Sequence, residues 1–533
     1  MPDISIRLFI GGAGMYNIIK LLVSFVMLSG VMNLNSQIPE WSWVSNAGSS
    51  GADHGSDVCI DDQGNTYITG YFYNTCLFGS VSLISSGNSD VYIAKLDPNG
   101  DFLWACKAGG PSTDYGYGIK AHGAFVYVVG HFSGTASFGT TSLVSSGGFD
   151  VFCAKLDQNG NYIWAKKASG QGDDIGYGIC SDSEGNSYIT GYVGNSATFG
   201  SITTSNYGSY VAKLDTTGSF QWVTRLGVTK GYRIEFSIDG FLLFCGAYGA
   251  SYAKLDTNGN VMWNRITGGT EAMRIISDPS GGGYLAGYFS GTASFGSTTL
   301  CSSGSNDIFL AKFDNSGAIS WAIKGGGSGD DICYGLAVDS NGNAFITGRV
   351  SGNSIFGSQS FTGLGCYDVF LAKVSQEGDY LWAMTQGGSG NDIGLNLCID
   401  NMDNCILTGL YSNYASIGGT VLTSMGNTDI FAAKLGNNMH PNPSIHDLVV
   451  SQRSDVSKKV DIYYRINYMC PVTVLLNVSN DNGTTWSFPC LFCPGDIGNN
   501  ISPGNGKHIV WDVLAEHPNI TGSNFKFKIT ASD

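Results

Sequence analysis

Residues 94–110 read AKLDPNGDFLWACKAGG, and residues 154–170 read AKLDQNGNYIWAKKASG. The phrase returns with its lysine at Lys95, Lys155, Lys213, Lys254, Lys312, Lys373 and Lys434. A turn and a tryptophan follow six of these: Trp104, Trp164, Trp222, Trp263, Trp321 and Trp382. The copy at Lys434 has none behind it. The missing tryptophan stands ahead of all the others, as Trp43 in EWSWVSNAG. A period of this length marks a repeated supersecondary unit. Each unit holds four strand-like segments, in the third case GYGICSD, NSYITGYV, GSYVAKLD and SFQWVTRLG. DSEGN joins the first pair and LDTTG the second, and such Gly, Asn and Asp clusters write hairpins. Type I′-like turns are expected in DDQGN, DSEGN and DSNGN. Four short antiparallel strands written seven times predict an all-β fold, a seven-bladed β-propeller over residues 37–436. An N-terminal strand carrying Trp43 would serve as the outer strand of the last blade. The two chain ends then close the ring, and no blade edge stays open.

Composition agrees with this reading. The 533 residues include 76 Gly, 28 Phe, 27 Tyr and 10 Trp, and only 13% are charged. Glycine-rich turns with aromatic strands are an all-β signature. The net charge of −15 argues against nucleic-acid binding, which needs clustered Lys and Arg. Lys20 precedes the apolar run LLVSFVMLSGVM, and NLNSQ follows. A basic residue, a short apolar core and small residues near a cut predict a signal peptide over 1–36, with cleavage near Ser36 and Gln37. The run is short for a membrane span. The expected location is therefore secreted or cell-surface, with no membrane span after cleavage. Fourteen cysteines in an exported chain raise the question of disulfides. Cys59, Cys180 and Cys398 share one repeat position with Ile276 and Ala337, which reads as a small apolar strand residue. Cys490 and Cys493 form a CxxC, better read as a local disulfide or plain burial than as a zinc site.

The phrase AKLD-xxG-xxxW, the glycine closing each second strand and the SGTASFG-like inserts at Phe138 and Phe295 resemble the SBBP family of secreted bacterial β-propeller repeats. Those glycines are Gly70, Gly130, Gly191, Gly246, Gly287, Gly348 and Gly409. The resemblance covers some four hundred residues. It implies an exported propeller and no shared reaction. The turn also resembles the tryptophan-docking motif of quinoprotein dehydrogenases. Those have eight blades and an adjacent Cys pair, which this chain lacks.

Middle strands such as YITGYF and VYIAKL are almost wholly apolar, as strands covered on both faces are. The repeated tryptophan offers an N–H to a neighbouring blade. The repeated lysine is expected to snorkel or to pair, either with the Asp two residues on or with a loop Asp. That loop acid is Asp53, Asp114, Asp174, Asp331 or Asp392, expected to cap its turn through backbone N–H groups. No cofactor is expected. Calcium on these Gly-rich Asp loops is the less favoured reading, and the hairpins DDQGN, DSEGN and DSNGN lack the later acidic ligand of a calcium loop.

Candidate ligand-binding residues are those that break the repeat. The inter-blade loops and the long inserts should crowd one face, where binding sites concentrate. At its edge stand Tyr71, His131, Tyr192, Tyr288 and Arg349, with Ala247 and Leu410 at the two remaining positions. The fourth repeat lacks its insert and carries Arg233 and Glu235 on its innermost strand. Arg274 occupies the matching place in the fifth, and Asp57, Lys120 and Asn396 are the other inner-strand departures. Around the ring's centre these make either a pocket or an ion-pair network that plugs it. A polar linker over 437–446 leads to strand-like segments over 447–533, which resemble an Ig-like or fibronectin-like sandwich module. SNDNGTTW, residues 479–486, matches the Asp-box of sialidases, a turn motif and no evidence for hydrolysis. The expected function is non-catalytic binding of a protein or glycan at the cell surface. The alternative is a polysaccharide hydrolase or lyase with its site at the centre. Seven His, none in a nucleophile or metal motif, favour binding.

Overall fold

The structure is a computed structural model. It describes residues 39–533 except 248–250, 280, 437–443, 454, 456, 458, 468–471, 480–487, 490–492, 503, 513–514, 516–525 and 533. The expected leader, most of the linker, Cys490 and all but the first residue of the Asp-box match lie outside it. Two compact units emerge, 38–437 and 438–533.

The hairpins begin with the Asp of AKLD. Asp97 Oδ1 accepts the N–H groups of Asn99 and Asp101, both at 2.9 Å. Gly100 is left-handed, with φ 89°, and donates its N–H to Asp97 O at 3.0 Å. The DDQGN hairpin is built alike. Asp61 Oδ1 caps Gln63 and Asn65, and Gly64 has φ 80°. A type I′ turn would need positive φ at both central residues. Here only the glycine has it, so these are type I turns closed by a left-handed glycine. The I′ expectation is corrected: the Asp side chain holds the central residues right-handed.

In the first repeat, β1 (Trp41–Gly48) precedes β2 (His54–Ile60), β3 (Thr66–Phe72), the insert hairpin β4 (Thr75–Phe78) and β5 (Val81–Ile84), then β6 (Asp90–Leu96) and β7 (Phe102–Ala108). The antiparallel sheet runs β2-β3-β6-β7. The same four-stranded order recurs six more times, and the last sheet takes β1 as its fourth strand after Asp429–Leu435. There Trp43 stands opposite Lys434, the register of Trp104 opposite Lys95. The inner strands abut in sequence. β2 packs beside Tyr115–His122 on one side and Ile393–Ile399 on the other.

The tryptophans join the repeats. Trp104 Nε1 donates to Gln158 O at 3.0 Å, and Trp43 Nε1 donates to Pro98 O at 3.0 Å. The indole lies on the turn glycine: a Cβ on Gly100 would fall 2.6 Å from the Trp43 ring. Glycine there serves both the left-handed turn and this close approach. Apolar clusters likewise span neighbouring sheets, as where Tyr67, Val91 and Ile93 pack with Ile119, Val126 and Phe152. Each such fully buried side chain contributes about 1.5–3 kcal/mol.

The repeated lysine pairs, though not with either expected acid. Its partner is the Asp of the first hairpin: Lys373 with Asp339 at 2.9 Å, Lys434 with Asp400 at 2.9 Å and Lys312 with Asp278 at 2.8 Å. The Asp two residues on is engaged in its own turn, as Asp97 is. The hairpin of the second repeat has no such Asp. There Lys155 Nζ lies 3.7 Å from the centroid of the Phe125 ring.

In the C-terminal unit, one sheet holds Ser444–Gln452, Val460–Asn467 and Gly504–Trp511. A second is centred on Val472–Ser479, paired with Lys526–Ser532 and two short strands. Ile462, Val474, Ile509 and Trp511 form their common core. Cys493 is disulfide-bonded. Cys59, Cys180 and Cys398 are free thiols. Burial pushes the Cys59 thiol up to about 12.

Candidate functional site

Each inner strand carries one bulge, at Ser56, Tyr117, Tyr177, Tyr232, Met273, Tyr334 and Leu395. A bulge inserts one residue and re-aims the side chains that follow. It also explains the strand-closing glycine. A Cβ on Gly70 would fall 1.8 Å from His54 O, and one on Gly348 would fall 1.9 Å from Ile332 O.

The residue after each bulge forms a row: Asp57, Gly118, Gly178, Arg233, Arg274, Gly335 and Asn396. Its four polar members find one another. Arg233 Nη1 donates to Asp57 Oδ2 at 2.9 Å, and the Asp57 side chain is fully buried. Asn396 Nδ2 donates to Asp57 Oδ1. Arg274 Nε donates to Asn396 Oδ1 at 3.2 Å, and its Nη1 and Nη2 donate to Met273 O at 3.1 Å and Leu395 O at 3.3 Å. Asp57 further accepts the backbone N–H groups of Val58 at 3.0 Å and Ile119 at 2.9 Å. One carboxylate thus ties together strands of the first, second, fourth and seventh repeats, and Asn396 relays it to the fifth.

Burial opposes the Arg233 charge, but the Asp57 and Glu235 carboxylates outweigh it and raise its pKa. Arg274 has no carboxylate in contact. Burial and the Arg233 charge lower it to about 10, so it stays protonated near neutrality. Two residues on along each strand lies a second row, which includes Lys120 and Glu235. The Glu235 charge raises the Lys120 pKa against its burial. This row is otherwise Cys59, Cys180, Ile276, Ala337 and Cys398, so the pair sits among apolar groups and thiols.

The bulge residues build a second feature that alternation along the strand does not forecast. Tyr117 and Tyr177 rings lie 5.2 Å apart, and Tyr177 and Tyr232 5.7 Å. Tyr232 Oη donates to Glu271 Oε2 at 3.2 Å. Tyr288 also bonds Glu271, and burial followed by that carboxylate raises the Tyr288 pKa. Tyr71 is stacked between Tyr115 at 3.8 Å and His54 at 4.9 Å. His131 is 2% exposed, packed among Tyr115, Tyr117 and Phe149 rings, and neither ring nitrogen has a hydrogen-bond partner. Burial lowers its pKa to about 4, so it is neutral near pH 7. Arg349 pairs with Asp330 at 2.5 Å and lies 4.1 Å from the Tyr367 ring centroid. Tyr192 is half-buried, with Asp173 and Tyr207 in its surroundings. The one available sequence signal for Tyr117, Tyr177 and Tyr232 is the Gly-Tyr step near the start of these three inner strands.

The loop acids cap as their composition predicts. Asp114 accepts Gly110 N at 2.8 Å and Ser133 N at 3.1 Å, and Asp331 accepts Gly327 N at 2.6 Å and Ser351 N at 2.8 Å. Among the described residues, no group of three or more His, Cys, Asp or Glu side chains is placed to hold a metal ion. No described helix is long and apolar enough to cross a membrane.

A β-propeller repeat family, SBBP, matches residues 325–356. An uncharacterised WD repeat-containing protein of Acanthamoeba polyphaga mimivirus is 23% identical over 478 residues, 73% of this chain and 33% of that one. The chain therefore spans about a third of that relative. Among solved structures, the WD40 β-propeller domain of Doa1 is similar at 9% identity and TM-score 0.42, covering 74% of this chain and 96% of that one. Virginiamycin B lyase from Staphylococcus aureus is similar at 9% identity and TM-score 0.39, with 74% and 98% covered. The chain is a β-propeller repeat protein.

Proposed function

We propose that this chain is an exported, non-catalytic β-propeller that binds a protein or glycan through its loop-rich face. One observation carries the reading: Asp57, Arg233, Arg274 and Asn396, four of the six polar departures on the inner strands, are bonded to one another. A catalytic site needs a free acid or base facing substrate. Here Asp57 is saturated by Arg233, Asn396 and two backbone N–H groups. Such a network joins strands from distant repeats, which is work for a scaffold. The ring is seven-bladed and closed by β1, in keeping with the Trp43–Lys434 register and the Trp43–Pro98 hydrogen bond. The C-terminal unit is an Ig-like sandwich acting as a spacer or attachment module.

The binding face carries half-buried Tyr71, Tyr192, Tyr288 and Arg349. Rings held in this way lose little freedom when a sugar or peptide packs against their exposed edges. A glycan array and a polysaccharide-degradation assay on wild type and Glu235→Ala test the reading. Binding without product, unchanged by the substitution, is expected. Product formation that Glu235→Ala abolishes would replace it with the hydrolase or lyase alternative.

A further inference from the structure

Five junctions between repeats bury two facing carboxylates each: Asp90 with Asp114, Asp150 with Asp174, Asp307 with Asp331, Asp368 with Asp392 and Asp429 with Asp53. All ten are at most 1% exposed. The first acid of each pair opens a third strand. Its Oδ2 accepts one backbone N–H, from Ser86 at 2.9 Å in the first pair and Leu364 at 2.8 Å in the fourth. The second acid caps the loop that follows, as described above. Buried without a hydrogen-bond partner is the Oδ1 of Asp90, Asp150, Asp307, Asp368 and Asp429, and in two pairs also the Oδ2 of Asp174 and Asp53. The neighbouring acid lies close enough in every pair for the two charges to act on each other. A methyl group placed on Gly109 would lie 2.6 Å from Asp90 Oδ1 and 2.8 Å from Asp114 Oδ2, so both oxygens converge on one glycine. Gly387 sits in the same way against Asp368 and Asp392.

The remaining two junctions lack both acids. Gly208 and Thr229 occupy the positions in one, Gly249 and Thr270 in the other. The acids are therefore present together or absent together, as a pair that holds something in common would be.

We propose that each pair shares one proton near neutral pH, a carboxylic acid donating to a carboxylate across the junction. The neighbours decide against a metal ion. They are N–H donors, and in three pairs a lysine ammonium: Lys107 on Asp90 at 2.8 Å, Lys324 on Asp307 at 3.4 Å and Lys167 on Asp150 at 3.9 Å. Calcium requires six to eight oxygen ligands. A proton requires only the facing acceptor. The other charges in reach are Asp173 and Arg225 at Asp174, and Asp330 at Asp331. Thr385 and Asn46 replace the lysine in the last two pairs, where Tyr411 adjoins Asp429. Burial, assisted by the partner's charge, raises Asp114, Asp174 and Asp392 to about 7 and Asp331 and Asp429 to about 6.

The folded chain then holds protons that the unfolded chain releases. This stability is complete below about pH 4 and is lost as pH rises through about 6–7. Thermal unfolding of the full chain between about pH 5 and pH 8, with calcium or with chelator, reads it directly. The midpoint should fall with rising pH and ignore calcium, and unfolding near pH 6 should release up to one proton per pair. Infrared spectra near neutral pH should show protonated carboxyl groups. In Asp114→Asn the amide replaces the shared proton, and the release should drop by about one. A level midpoint without protonated carboxyl absorption, or a midpoint that calcium raises at about pH 8, would overturn the proposal. Should Asp114→Asn not fold, the wild-type spectrum and proton count still decide.

Discussion

Removing Arg233 would strand Asp57. Its carboxylate is fully buried, and the guanidinium is its one charged partner in contact. Breaking a buried pair from one side leaves an uncompensated charge, so Arg233→Met should destabilise the chain by about 3–5 kcal/mol in urea unfolding. Adding Asp57→Asn should recover part of that loss. A result near zero for the single variant would mean that the network is not holding the centre. The sequence marked Asp57, Arg233, Arg274 and Asn396 as departures from the repeat, and these four are indeed brought together. It could not say that they meet. Arg233 and Asp57 lie 176 positions apart, and no local pattern encodes which repeats face each other across the centre. Nor could it rank His131 against Tyr71, because burial at one strand position depends on the rings supplied by neighbouring repeats.

At the scale of elements, the turns and the displaced strand were legible because their chemistry is local. Asp, Asn and Gly in DPNG determine where the chain reverses, and Trp43 was missing from one end and present at the other. The turn type departs from I′, since Asp capping favours a right-handed centre with one left-handed glycine. The bulges were invisible, because a bulge is defined by two strands and a sequence shows one. Trp43 makes a firm test of the displaced strand. Trp43→Ala removes the ring packed on Gly100 and the hydrogen bond to Pro98. For a half-buried tryptophan the expected loss is about 3 kcal/mol, the low end for such a truncation. Trp104→Ala should give a similar loss in chemical denaturation. If Trp43→Ala leaves stability unchanged while Trp104→Ala does not, β1 does not fasten the last sheet to the first.

For the whole molecule, pH acts from two sides. Burial disfavours the charges of Asp61, Asp182 and Asp400, but the hydrogen bonds of Asn65, Asn186 and Asn404 outweigh it and lower their pKa values. Groups depressed in the folded state stabilise it above their unfolded pKa, and that stability is lost as pH falls below about 4. The paired acids work in the opposite direction above about pH 6. Thermal midpoints should therefore peak near pH 5 and decline on both sides. A midpoint still rising at about pH 3 would contradict the hairpin part of this account. The amino-acid sequence by itself determined the four-stranded repeat, its count of phrases, its turns and the strand carried to the other end, because all of these rest on residues close together in the chain. Tertiary structure alone decided which acids meet which bases, which tyrosines the bulges turn inward and which carboxylates face each other. Those outcomes depend on where one repeat stands against another, and that is set by the packing of buried surfaces from distant segments.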